Sequence, residues 1–174
     1  MIFRKAAQND IENVAQIYSD VILGEEKGQA FTGWQRDVYP VKATAEKALE
    51  RQDLFVAEDD SGIVATAIIN KIQVDVYEGA PWSYNAPENE VMVLHTLAVS
   101  PKHFGKGIGR KFVEFYEQYA LSNGCRYLRM DTNANNTKAR AMYKKLGYKE
   151  IGIVDCIFNG IKGVGLVLLE KTLI

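Results

Sequence analysis

Gly105, Gly107 and Gly109 stand at alternate positions at the entrance to an apolar stripe with helical spacing: Ile108, Phe112, Phe115, Tyr116 and Tyr119. Bare backbone ahead of a helix suits an anion. The first-turn N–H groups lack intrahelical acceptors, the dipole is positive at that end, and glycine puts no Cβ in a phosphate's way. Lys102, Lys106, Arg110 and Lys111 add local positive charge. The stretch therefore reads as a pyrophosphate seat, against the plainer reading of a flexible turn flanked by solvated lysines. Two other phosphate loops do not fit. A P-loop needs Ser or Thr after Gly-Lys, and Gly109 is followed by Arg110, Lys111 and Phe112. A dinucleotide fingerprint needs its third glycine where Phe112 stands, directly after a strand, and here residues 100–104 intervene. Asp131 does follow the next strand at a suggestive distance, so a nucleotide-binding oxidoreductase stays as a minor alternative.

Holding such a seat requires a strand before it and a sheet around it. Val91–Val99 is apolar on both alternating faces except at His95 and Thr96, the pattern of a central strand. The helix after the glycines ends near Asn123-Gly124, residues 125–130 form a strand, and residues 137–146 form a helix stopped by Gly147. Two strands follow, near 149–155 and 163–171. Upstream, residues 1–7 read as a strand, and Asp10 is placed to cap a helix with the stripe Ile11, Val14, Tyr18, Val21 and Ile22. Residues 24–40 read as a loop, 44–51 as a helix, 54–58 and 63–72 as strands, and 74–89 as an irregular excursion. The sum is an α/β arrangement of about seven strands and four helices in a single domain, 1–174.

At 174 residues the chain has room for one sizeable core. A formal charge of −1 supplies no global attraction to nucleic acid or anionic lipid, so neither is expected as a partner. Cys125 and Cys156 lack zinc spacing, and with only two histidines no metal site is expected. The charged start and the short apolar run at 163–169 predict neither a signal peptide nor a membrane span, and the reading is cytoplasmic.

The strand, proline and glycines of LHTLAVSPKHFGKGIG resemble the acetyl-coenzyme A motif, Arg/Gln-x-x-Gly-x-Gly/Ala, of the GCN5-related N-acetyltransferase (GNAT) superfamily. NTKARAMYKKLGY, residues 136–148, is similar to the family's Asn-x-x-Ala…Tyr-x-x-x-Gly-Phe/Tyr helix. The likeness is strong over about 90–174, the acetyl-CoA-binding half. Over about 1–89, the acceptor side, only the order of elements agrees. Phe104 occupies the place of the family's Arg or Gln. The resemblance implies a mixed, mostly antiparallel sheet with a splayed central strand, acetyl-CoA as cosubstrate, and a homodimer as one assembly.

It also implies roles. The backbone of Leu97, Ala98 and Val99 would meet the pantetheine arm. The loop Phe104, Gly105, Lys106, Gly107, Ile108, Gly109 and Arg110 would take the pyrophosphate. Asn136 would touch the cofactor arm, and Tyr143 would protonate the leaving sulfur as general acid; otherwise Tyr143 is a core aromatic. His95, in phase with Val91, Val93, Leu97 and Val99, is a candidate base with an imidazole near 6.5. Glu90, at the strand's start, is its rival, and a satisfied core histidine is the plain reading. His103 is expected at the surface. Trp34, Tyr39 and Tyr84, with Phe31, Tyr77 and Trp82, would shape the acceptor pocket. Glu25, Glu26, Asp37, Glu78, Glu88 and Glu90 would favour a cationic acceptor. The function implied is acetyl transfer to a primary amine of a small molecule, amino acid or peptide terminus. A non-catalytic acyl-CoA-binding protein of the same build is the alternative.

Overall fold

The computed structural model describes residues 1–173. Seven strands form one sheet: β1 (Ile2–Lys5), β2 (Leu54–Asp59), β3 (Gly62–Asn70), β4 (Val91–Val99), β5 (Tyr127–Asn133), β6 (Lys149–Phe158) and β7 (Ile161–Thr172). Four helices flank it: α1 (Ile11–Glu26), α2 (Lys42–Glu50), α3 (Ile108–Ser122) and α4 (Thr137–Lys145). The order across the sheet is β1-β2-β3-β4-β5-β7-β6. Every pairing is antiparallel except β4 with β5. That excludes the doubly wound parallel sheet which the dinucleotide-binding alternative requires.

The parallel pair opens part-way along. Val91–Leu94 pair with Tyr127–Met130, and there the ladder stops. From His95 onward β4 pairs only with β3, while Asp131–Asn133 pair only with β7. Tyr116 of α3 closes the paired part. Fully buried, its hydroxyl donates to the Met92 carbonyl at 2.6 Å and approaches the Arg129 carbonyl at 3.3 Å, one on each strand.

A bulge sits just past the opening. Ile68 faces His95 and Thr66 faces Ala98, so β4 carries an extra residue there, and Thr96 takes a φ of 52°. A bulge turns the side chains beyond it. One face of the sheet packs Met92, Leu94, Leu97 and Val99 with α3 and α4. The opposite face holds Val91 and Val93 in one cluster and Ala98 against α1 and α2 in another. Leu97 and Val99 therefore lie on the face opposite Val91 and Val93, and the unbroken phase expected along β4 ends at Thr96.

The remaining differences are local. Asp10 does not cap α1; it ends a short 3-10 turn. Its carboxylate accepts the Ala7 N–H at 2.8 Å and pairs with Arg4 at 2.7 Å, which uses both oxygens on the chain entry. Helix α1 runs to Glu26, so residues 24–26 of the expected loop are helical. Glu25 then accepts hydrogen bonds from Thr32 and Gly33, at 2.7 to 3.0 Å, and folds the following loop back over the sheet.

Candidate functional site

The opening between β4 and β5 leads into a cavity of about 870 Å³. Its walls come from β4, the start of α3, the end of β5, α4 and the loop after α1.

Gly105 and Gly107 adopt φ of 80° and 73°, a region where side chains carry strain, and the direction a Cβ would take is open at both. Gly107 immediately precedes α3. The N–H groups of Gly105 and of Gly107 to Arg110 have no acceptor among the described residues. Five amides without acceptors, at the positive end of a 15-residue helix, are an arrangement that can receive an anion. Gly109 is held differently: a Cβ there would touch Met142 and Val99 at 3.6 to 3.7 Å, so its role is the packing of α3 on β4 and α4. Arg110 pairs with Glu114 at 2.8 Å along the helix surface, and Phe104 is 51% exposed at the rim. His103, expected at the surface, lines the cavity with its Nδ1 buried and unpartnered.

Asn136 caps α4 by accepting the Ala139 N–H at 3.2 Å, and its amide lines the cavity. Two turns on, Tyr143 is 6% exposed and lines the same cavity. Burial, with the Asp131 charge nearby, raises its phenol well above the ordinary range, so it holds its proton at neutral pH.

On β4, His95 reaches Asn70 through Nε2 at 3.0 Å. Burial lowers its imidazole to about 4, partly offset by the Asp53 carboxylate, so His95 is neutral at pH 7. Tyr39 lines the cavity and is hydrogen-bonded to Thr96, and burial pushes its hydroxyl to about 12. Trp34 packs edge-on against both Tyr18 and Tyr39.

The structure thus brings His95, Leu97, Ala98, Val99, Phe104, Gly105, Gly107, Ile108, Gly109, Arg110, Asn136, Tyr143, Trp34, Tyr39 and Phe31 to one cavity. It does not bring Glu90, which sits at the far end of β4, nor Lys106, which turns toward Asp59. Tyr84 instead packs on Tyr127 at 5.9 Å, near the paired end of β4 and β5. Trp82 packs edge-on against buried Tyr77 and lies under Arg129, so both aromatics plug the fold. Of the six acids expected around the acceptor none lines the cavity, and Glu25 and Glu26 are engaged by loop amides and by Arg36. The carboxylate that does line it is Asp131. Its signal was an acid at an inward position of the strand YLRMDTN, read in the sequence only as support for the nucleotide-binding alternative.

The sequence model of the acetyltransferase (GNAT) family matches residues 20–148, and the chain belongs to this family. It is similar to streptothricin acetyltransferase of Escherichia coli, 26% identical over 107 residues, 57% of this chain and 56% of that one. It is also similar to an uncharacterized N-acetyltransferase of Methanocaldococcus jannaschii, 23% identical over 151 residues, 87% of this chain and 62% of that one. The matches thus span about three fifths of the length of these curated relatives. A shorter match, 31% identical over 70 residues, 40% of this chain and 41% of that one, links it to thialysine N-epsilon-acetyltransferase of Bos taurus. Among solved structures, a GNAT-family acetyltransferase from Streptococcus agalactiae superposes with a TM-score of 0.83, 19% identity, and coverage of 99% of this chain and 95% of that one. The yncA structure from Salmonella typhimurium, solved with its cofactor acetyl-CoA, superposes at 0.70 with 17% identity over 99% and 93% of the two chains. Among the described residues there is no cluster of metal-ligating side chains and no helix long and apolar enough to cross a membrane.

Proposed function

We propose that this chain transfers an acetyl group from acetyl-CoA to a primary amine by direct attack. One observation carries the reading: a single cavity joins the unpartnered amides of Gly105 and Gly107–Arg110, the unpaired edge of β4 beyond His95, and the protonated hydroxyl of Tyr143. The residues fit the cosubstrate. The glycine amides receive the pyrophosphate, and the free edge of β4 at Leu97 and Val99 receives the amide-bearing arm as an added strand would be received. The bound thioester supplies an activated acyl group. Held between β4 and α4, its carbonyl sits within reach of an amine entering through the gap between β4 and β5. Tyr143 donates its proton to the departing sulfur. Phe31, Trp34 and Tyr39 form the apolar wall on the acceptor side.

The names of two relatives, the N-acetyltransferase of Methanocaldococcus jannaschii and thialysine N-epsilon-acetyltransferase, support a nitrogen acceptor for this chain as well. Thiol release from acetyl-CoA, followed across a panel of primary amines, tests the reading. Amine-dependent release with a matching acetylated product is the expected result. Tight acetyl-CoA binding with no release on any amine would favour a binding protein instead.

A further inference from the structure

Asp131 is the first residue of β5 beyond the last paired register, Leu94 with Met130, and so stands in the crotch where β4 and β5 part. Its Oδ2 accepts the Tyr77 hydroxyl at 2.7 Å, while Oδ1 has no partner among the described residues and no cation pairs with the group. The cavity's cations, Arg110, Lys138 and Lys145, come from α3 and α4, on the side proposed for phosphate. The cavity therefore has a positive end and one isolated carboxylate at the other. A half-buried carboxylate without a cation carries a desolvation cost, and such a site favours a ligand that brings the cation.

We propose that Asp131 receives the acceptor's ammonium group and takes one of its protons, so that the acceptor is a cationic primary amine. This rests on the acetyltransferase reading above. The proton passes from nitrogen to Oδ1. The freed lone pair forms the bond to the acyl carbon, the carbon–sulfur bond breaks, and the sulfur takes the proton of Tyr143. The nitrogen's second proton restores Tyr143, and the proton on Asp131 leaves to solvent with the product. A base must have an affinity near the working pH, and burial pushes this carboxyl up to about 6, with the Tyr77 hydrogen bond pulling the other way. The titratable groups around it are Tyr77 and Tyr39 from loops, His95 from β4, Tyr143 from α4 and Cys156 from β6, while β7 presents Leu168 opposite. All five are uncharged at neutral pH, which leaves Asp131 as the group that ionises in that range.

The test uses the full chain with three readouts: coenzyme A calorimetry, thiol release with lysine, spermidine, tyramine and glycylglycine, and a ¹³C titration of the Asp131 carboxyl. Asp131→Asn keeps the shape and still accepts from Tyr77. It should lower kcat/KM for the best amine about 100-fold, in line with general-base loss, while coenzyme A affinity stays within about threefold. Tyr77→Phe should move the acidic limb of the wild-type profile, near about pH 6, to higher pH. The carboxyl resonance should titrate near the same value and shift when amine is added. Asp131→Asn with kcat/KM within about threefold of wild type overturns the inference. So does a carboxyl that titrates like an ordinary aspartate and ignores added amine, even if no amine in the panel turns over. Failure of the wild type to bind coenzyme A overturns the acetyltransferase reading instead, and so separates the two.

Discussion

The Asn70 side-chain oxygen lies 3.0 Å from His95 Nε2 and also accepts the Ile72 N–H at 2.9 Å. The Asn70 amide nitrogen donates to Asp53 at 2.9 Å, and Arg51 holds that carboxylate through two bonds at 2.8 and 3.0 Å. With the Asn70 oxygen fixed as an acceptor, His95 Nε2 must carry the proton. The imidazole is a neutral, oriented group whose accepting nitrogen is Nδ1.

This arrangement makes His95 a weak base and a stability-linked group. Its folded value, about 4, lies below the 6.5 of an unperturbed histidine. The unfolded chain therefore binds more protons through that window. Stability from this group is complete above about 6.5 and is lost as pH falls toward about 4, by about 3 kcal/mol at most. His95→Gln should remove that contribution and leave a stability that falls as pH rises from 4.5 to 7 in urea denaturation, and should leave the acidic limb of turnover in place. A limb that moves with His95→Gln would make His95 the base.

Asp131 has the opposite sign. Its folded carboxyl value is raised to about 6 from 3.8, so the folded state binds more protons between these values, and stability falls as pH rises through them. Asp131→Asn should be more stable than wild type above pH 6, by about 1–3 kcal/mol, with the gap closing toward pH 4. Urea midpoints at pH 4.5 and 7.5 check this, and a gap independent of pH would contradict the burial of a charged group. In the wild type the two slopes largely cancel.

Tyr143→Phe keeps a ring that packs edge-on against Tyr148 at 6.0 Å and removes the proton donor. Turnover should fall about 100-fold with acetyl-CoA affinity nearly unchanged, measured by presteady-state thiol release and calorimetry. Unchanged chemistry would reduce Tyr143 to packing.

Tyr116→Phe tests how the sheet opening is held. Its hydroxyl is buried between the Met92 and Arg129 carbonyls, so its loss should cost about 1–3 kcal/mol in urea denaturation. Little loss would show that the strand pairing alone fixes the point of divergence.

The second half of the chain was the more legible because its signals are local. A run apolar on both faces marked β4 at its observed bounds, and glycines with a helical stripe marked α3. What the sequence concealed depends on register and distance. The bulge at Thr96 reverses the faces of Leu97 and Val99, and no composition signal marks a bulge made by a threonine. Tyr84 and Glu90 are near the site in chain order and remote from it along β4, since a strand rises about 3.3 Å per residue. Asp131 was visible as a residue, but its isolation at the opening is a property of the β4–β5 ladder, which ends one residue before it while the β5–β7 ladder runs on.

In the proposed reaction the amides ahead of α3 hold the pyrophosphate of acetyl-CoA. Titration calorimetry of acetyl-CoA into wild type, Phe104→Ala and Gly107→Val tests it most directly. Binding should be saturable and one-to-one, free coenzyme A should compete, and Phe104→Ala should bind within a few-fold of wild type if the grip is made by backbone. Folded Gly107→Val should lose binding, because its branched side chain strains a φ of 73° and crowds the seat. Absence of binding to the wild type, or wild-type affinity in a folded Gly107→Val protein, would contradict it.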